Sequence, residues 1–280
     1  MARHIVCLTL DFDTMSPFIA RGLTSPSLLS RGEFGVIGAA RLIELFKRYN
    51  IASTWFTPGF TIETYPAHAE RVVAAGHEIA HHGWTHRPPA TLSREDEEAE
   101  LVRGNATIRK LTGRNARGYR SPSWDLSPHS IELLIKHGFD YDSSLMGGDY
   151  QPYRARMGDV ITLEKHAVFG RETDLIEMPI TWALDDFPHF EYLRMPNSLQ
   201  EGSMSARAVE QNWTDEFDYM VQSCDWGILT YTFHPFVIGR GHRMMMLERL
   251  IRHMAAQGAV FLSMEQALDE WLARQGRAPS

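Results

Sequence analysis

Short apolar runs alternate along the chain with stretches in which apolar residues recur every three to four positions. "HIVCLTL" (4–10) is rich in β-formers and predicts a first strand. Leu42, Leu45, Phe46 and Tyr49 fall at i, i+3, i+4 and i+7, the stripe of an amphipathic helix. "IASTWF" (51–56) and "HEIAHH" (77–82) predict further strands, separated by a helix over Ala67 to Ala75 that stops at Gly76. Ser93, with Asp96 three residues on, opens a helix reaching about Leu111. In "SPHSIELLIKHG", Ser127 is the predicted N-cap, Pro128 the first helical position and Gly138 the stop. "ILTYTFHPF" predicts a strand ending at His234. A stripe of Leu247, Leu250, Ile251 and Met254 then ends at Gly258, "AVFL" is a strand, and Ser263 with Gln266 predicts a capping box for the last helix.

Alternation of this kind implies parallel strands joined by crossover helices, hence an α/β barrel or open sheet. No internal repeat or linker divides the chain, so residues 1–280 read as one domain, with long loop insertions at about 14–34 and 147–205. Loops of that length often carry function.

Composition narrows the function classes. A net charge of −7 and a pI near 6.0 give no basic footprint for nucleic acid. No window approaches the length of a membrane-crossing helix. Cys7 and Cys224 are the only cysteines, which excludes a disulfide framework and a thiolate metal cluster, and Cys7 reads as a core thiol. Asp11 and Asp13 interrupt the first apolar run too early for a secretory leader, so the expected location is cytoplasmic. "REDEEAE" (94–100) reads as a solvated helix face whose carboxylates suit the helix N-terminus.

The chemistry concentrates at predicted strand ends. In "LTLDFDT", Asp11 and Asp13 are two apart and point to the same side. Paired carboxylates require a compensating cation, or one of them holds a proton. The bland alternative makes Asp11 a turn cap and leaves Asp13 in solvent. "HEIAHHGWTHRPP" (77–89) ends the third strand, and its His82 and His86 have a spacing a divalent ion can chelate. With one carboxylate they form a three-ligand set that leaves a position for water, the catalytic zinc pattern. Such an ion lowers the water's pKa and polarises a carbonyl. Asp13 then suits the ligand role and Asp11 the base. In "GYRSPSW", Arg120 is placed to pair with Asp11 or to make a surface ion pair, and Trp124 to meet substrate or pack the core. His234, at a strand end, can protonate a departing amine or serve as a satisfied core histidine.

Together these residues resemble the polysaccharide deacetylases, the NodB-homology or carbohydrate esterase family 4 proteins. Asp11-Phe12-Asp13 is similar to their first motif, His82 to His86 to the second, "RSPSW" to the third and His234-Pro235 to the fifth. The order and spacing cover roughly residues 4 to 265. The resemblance implies a distorted (β/α) barrel of seven or eight strands. It also implies metal-dependent hydrolysis of an amide, with Asp11 as base, Asp13, His82 and His86 as ligands, Arg120 steadying Asp11 and His234 as acid. Three departures leave questions open. Ser123 intervenes before Trp124, so either backbone amide is a candidate for the oxyanion site. Asp185 and Asp186 are both candidates for orienting His234. His81, beside the ligand position, is an alternative ligand by a one-residue shift, while His77 reads as scaffold.

The insertions are similar to a cytoplasmic branch of allantoinase-like and cyclic-imide hydrolases and peptidoglycan-deacetylase-like proteins, which implies a homo-oligomer, a tetramer around the active-site mouth. The leading expectation is therefore a metal-dependent hydrolase of a non-peptide C–N bond in a small amide, imide or ureide. The alternative is N-deacetylation of N-acetylglucosamine-containing polysaccharide or peptidoglycan fragments. A rival of another class is a catalytically silent barrel binding saccharide through Trp55, Trp84 and Trp124. Ser123, Trp124, Asp185 and Asp186 are the expected substrate contacts. Zinc is expected from the ligand types, with cobalt, nickel or iron able to substitute.

Overall fold

The computed structural model describes residues 2–195 and 198–276. The strands are β1 (Arg3–Asp11), β2 (Thr54–Thr57), β3 (Glu78–His81), β4 (Gly118–Tyr119), β5 (Tyr141–Asp142), β6 (Tyr153–Met157), β7 (Arg171–Glu177), β8 (Leu193–Met195), β9 (Ser198–Gln200), β10 (Trp226–Phe233) and β11 (Val260–Phe261). The helices are α1 (Ser16–Ala20), α2 (Pro26–Tyr49), α3 (Gly59–Thr64), α4 (Pro66–Ala74), α5 (Arg94–Thr112), α6 (Ser130–Lys136), α7 (Asp186–Phe190), α8 (Ala206–Ser223), α9 (Pro235–Ile238), α10 (Gly241–Ala256) and α11 (Met264–Arg274).

The main sheet runs β10-β1-β2-β3-β4-β5-β7-β6, parallel from β10 through β7 and antiparallel only at β6. It curls into a partial barrel. A single parallel bridge between Asp185 and Thr232 brings the chain beyond β7 back to β10. β11 adds to the lower half of β1, below the point where β2 pairs with its upper half.

Alternation along β1 arranges the interior in layers. Val6, Leu8 and Leu10 face the helices, whereas Ile5, Cys7, Thr9 and Asp11 rise along the inside. At the base the first residues of α11 meet Glu78. The Glu78 carboxylate accepts from Thr54 Oγ1 (2.6 Å), Tyr141 Oη (2.7 Å) and the Glu265 N–H (3.1 Å). Burial pushes this carboxyl up to about 7, with the Glu265 charge adding to the rise and the three donors opposing it. Above it lies an apolar layer that includes Cys7, Phe56, Ala80, Tyr141 and Ile228. Cys7 is buried there as a thiol, as expected.

Several local expectations hold. Ser93 caps α5 through the Asp96 N–H (3.1 Å), and the Ser263–Gln266 capping box opens α11. Others are corrected. α6 begins at Ser130, because Ser127 instead closes a turn by accepting the His129 N–H (2.9 Å). Glu97 leaves the solvated face of α5: it is buried and accepts from Ser127 and Ser130.

The stretch 14–34 is largely helical, not a loop. Glycines in α2 lower helix propensity, but Gly32 and Gly38 are required for packing. A Cβ at Gly32 would collide with the Thr14 carbonyl and one at Gly38 with that of Pro235, so α2 lies directly against the segments following β1 and β10. Within 147–205 the β6–β7 hairpin, α7 and the β8–β9 ribbon give the region its own order. No helix among the described residues is long and apolar enough to cross a membrane.

Candidate metal centre and active site

Asp11 ends β1, and Phe12 continues the strand by donating its N–H to the Phe56 carbonyl (2.8 Å). This carries Asp13 to the rim with the same facing as Asp11. The Asp13 carbonyl is tied by Thr61 Oγ1 (2.7 Å) and Ser16 Oγ (2.8 Å). His82 follows β3, and its Nδ1–H donates to the Arg120 carbonyl (2.7 Å), which leaves the Nε2 lone pair facing the mouth. His82 Nε2 lies 3.5 Å from Asp13 Oδ1 and 3.8 Å from Asp11 Oδ2. His86 Nε2 lies 3.3 Å from Asp13 Oδ2.

Asp13, His82 and His86 present one oxygen and two nitrogens, all within 4.8 Å of one another. Asp13 Oδ1 and His82 Nε2 are buried without a hydrogen-bond partner. Orphaned buried acceptors are costly, and a divalent cation among them removes the cost. The donor set fits a metal of the zinc class. Burial raises the Asp13 carboxyl, but His86, His82 and His234 outweigh it and hold Asp13 well below the usual carboxylate range. Burial keeps His82 below the ordinary histidine range despite the nearby Asp11 and Asp13, so the ring is neutral and able to ligate.

Arg120 lies wholly inside the barrel. It donates to Asp11 Oδ1 (2.7 Å), Thr9 Oγ1 (2.9 Å), Ser143 Oγ (3.1 Å) and the Ser143 carbonyl (3.3 Å), and its guanidinium lies over the Phe56 ring. The surface ion-pair alternative is thereby excluded. Asp11 has a dedicated cation, and its Oδ2 remains on the His82 side.

Asp186 is the carboxylate that holds His234. It accepts from His234 Nδ1 (2.8 Å) and from the His234 backbone N–H (3.0 Å to each oxygen). Asp185 lies 3.6 Å from Nδ1 and instead caps α7 through the Phe187 N–H (2.7 Å). His234 Nε2 thus points into the mouth, 3.7 Å from Asp13 Oδ2. Burial lowers the His234 pKa, but Asp185, Asp186 and Asp13 outweigh it and push it up to about 10. Burial pushes Asp185 up to about 8, against the attraction of His234 and helped by Asp186 and Asp11.

Backbone geometry distinguishes the two candidate amides at Ser123 and Trp124. Ser123 (φ 58°) and Trp124 (φ 51°) both occupy the left-handed region, a strained arrangement for side-chain-bearing residues. The Trp124 N–H is consumed by the Ser121 carbonyl (2.9 Å). The Ser123 N–H has no acceptor among the described residues, so it is the amide free to meet an oxyanion. Trp124 is turned against Trp182, ring centroids 4.0 Å apart, and both line a cavity of about 500 Å³ that also contains Asp11, Asp13, His82 and His234. That volume suits a small ligand.

His81 is not a ligand. It is buried, its Nε2 meets the Leu101 carbonyl (3.1 Å), its Nδ1 accepts the Gly83 N–H (3.1 Å), and burial lowers its pKa to about 4. His77 packs between Phe46 and Trp55 and bonds Ser53 (3.0 Å), as expected of scaffold. Of the tryptophans proposed for saccharide binding, Trp55 is buried in the core and Trp84 lies outside the cavity beneath Arg103. Only Trp124 lines it.

Sequence reasoning missed three contributors. Trp182 shares the cavity wall with Trp124, and Arg21 stands at its rim. Glu100, inside the acidic run read as solvated, accepts from the Trp84 N–H (2.8 Å), the Thr85 N–H (2.7 Å), Thr85 Oγ1 (2.9 Å) and Arg87 (3.0 Å). It braces the loop between the two histidines. Its position seven residues after the Ser93 cap, on the α5 face turned toward β3, was the available signal.

The sequence profile of the polysaccharide deacetylases matches residues 37–141. A peptidoglycan deacetylase of Helicobacter pylori is 37% identical over 293 residues, covering 99% of this chain and 99% of that protein. A solved structure from Mycobacterium smegmatis, named for the polysaccharide deacetylases, superposes with a TM-score of 0.86 at 28% identity, covering 100% of this chain and 93% of that one. The Puue allantoinase structure, at 20% identity, covers 97% of this chain and 91% of its own with a TM-score of 0.78. At that identity the likeness concerns the fold alone.

Proposed function

Because this chain belongs to the polysaccharide deacetylase family, we propose that it is a metal-dependent N-deacetylase of N-acetyl amino sugars in peptidoglycan-type glycans. The small imide or ureide expected from the insertions gives way to this reading. The full-length relative carries a peptidoglycan deacetylase name, whereas the allantoinase likeness is one of fold. The observation that carries the proposal is the convergence of Asp11, Asp13, His82, His86 and the Asp186-bound His234 in one cavity. A catalytically silent binding barrel has no use for a base with its own buried arginine.

Asp13, His82 and His86 would hold a divalent ion, which would supply Lewis acidity to the acetyl carbonyl and to water. Asp11, ion-paired with Arg120, takes a proton from the attacking water as the water oxygen bonds to the carbonyl carbon. The Ser123 N–H donates to the oxygen on which negative charge develops. His234, protonated and aimed by Asp186, gives its Nε2 proton to the sugar nitrogen as the C–N bond breaks, yielding acetate and the free amine. Trp124 and Trp182 form an apolar wall for the sugar.

Acetate release from peptidoglycan fragments and chitooligosaccharides by the zinc-loaded protein tests this reading, beside a panel of cyclic imides and ureides. Turnover of the glycans, with kcat for Asp11→Asn reduced about 10²- to 10⁴-fold at undiminished metal content, is expected. Turnover confined to imides or ureides, or an Asp11→Asn protein of full activity, would end it.

A further inference from the structure

One charged group in the cavity has no part in this chemistry. Arg21, just beyond α1, is the only arginine or lysine among the described residues lining it. Its guanidinium is exposed at the rim and fixed at two points: Nη1 donates to the Pro17 carbonyl (2.8 Å) and Nη2 to Ser123 Oγ (3.3 Å). No carboxylate among the described residues forms an ion pair with it. The three acids that line the cavity are already committed, Asp11 to Arg120, Asp13 to the ligand set and Asp185 to the Phe187 N–H. Guanidinium carries five N–H donors in a planar fork. Three have no acceptor among the described residues, and the side chain lines the cavity. An arginine held in this way, beside the residue whose N–H faces the scissile carbonyl, has the form of a receptor for a planar anion.

We infer that Arg21 is a specificity-determining residue that receives a carboxylate on the substrate, and that the preferred substrate is an N-acetyl amino sugar bearing a carboxylate substituent. This deepens the deacetylase reading and rests on it. The fork pairs with the carboxylate and seats that sugar against Trp124 and Trp182, with its acetamide over Asp11 and Asp13. Ser123 links the two functions, since its hydroxyl anchors Arg21 while its N–H serves the reaction centre. A neutral sugar enters the same cavity without that anchor, so the discrimination falls on KM more than on kcat.

N-acetylmuramic acid and its methyl ester differ in this charge and little else. Affinity is read by tryptophan fluorescence on zinc-loaded protein, and turnover by acetate release. The acid is expected to bind about ten- to a hundredfold more tightly than the ester. Arg21→Gln collapses the ratio towards one, and Arg21→Lys, which keeps charge but loses the fork, lies between. Equal affinity of wild-type protein for acid and ester overturns the inference. So does a preference that survives in Arg21→Gln, because the carboxylate would then be on the metal. If the acid is preferred through Arg21 yet no glycan releases acetate, the deacetylase reading fails and the carboxylate site stands. If glycans are turned over without acid preference, the carboxylate site fails and the deacetylase reading stands. Failure to bind either compound removes the inference.

Discussion

Replacing Glu100 with alanine asks whether the His82–His86 loop is held in shape for metal by a brace outside the site. Its carboxylate takes two backbone N–H groups, a threonine hydroxyl and an exposed arginine. Burial raises the Glu100 pKa, yet the Thr85, Arg87 and Trp84 donors together hold it below the ordinary value, so it acts as an ionised acceptor. At about 0.5–1.5 kcal/mol net per hydrogen bond, the first three account for about 2–4 kcal/mol of stability. The exposed Arg87 contact adds little. The loop also contains His86 at φ 63°, a conformation costing about 1–3 kcal/mol for a non-glycine residue. Once the brace is removed, the loop relaxes, and metal binding must restore that strain. At about 1.4 kcal/mol per tenfold, zinc affinity falls about five- to a hundredfold, in line with the 10- to 100-fold known for groups that orient metal ligands. Competition with a chromophoric chelator measures the zinc dissociation constant, and urea unfolding the stability. Glu100→Gln, which retains one acceptor oxygen, is expected between wild type and alanine. Loss of stability with zinc affinity unchanged to within threefold refutes the reasoning, because Glu100 would then support the fold and not the ligands.

Two further outcomes follow from the buried carboxyls. Asp186→Asn keeps one acceptor oxygen for the His234 Nδ1–H but removes the negative charge that favours the protonated ring, and is expected to lower kcat about 10²- to 10⁴-fold at normal metal content. Asp185→Asn is expected to cost far less, and equal losses would reject the assignment of the orienting role. Glu78 makes stability depend on pH. Its folded pKa of about 7 lies above the ordinary 4.5, so the folded state binds more protons between those values and stability falls as pH rises through them. The loss approaches about 3 kcal/mol, at 1.36 kcal/mol per pKa unit. Glu78→Gln should flatten the profile in urea titrations at pH 5 and pH 8. An unchanged slope would place the pH dependence elsewhere.

What was legible in the sequence was local. Alternation along residues 5–13 places Asp11 and Asp13 on one side of one strand, and the four-residue step between His82 and His86 is a chelating distance in many backbone shapes. Caps at Ser93 and Ser263 are likewise set within four residues, so they survive in the fold. The sheet order decided the rest. Pairing of β1 with β2 and of β2 with β3 brings Asp13 to His82 across some seventy residues of chain. Asp185 and Asp186 are chemically identical neighbours, and only the bridge from Asp185 to Thr232 directs the Asp186 carboxylate onto His234. The α2 glycines look like helix breakers until the Thr14 and Pro235 carbonyls occupy the space their side chains would need. Glu100 reads as one solvated acid among several until the loop it braces is seen across the groove. Short-range spacing determines which groups can act together. Steric exclusion and hydrogen bonding between distant segments determine which of them do.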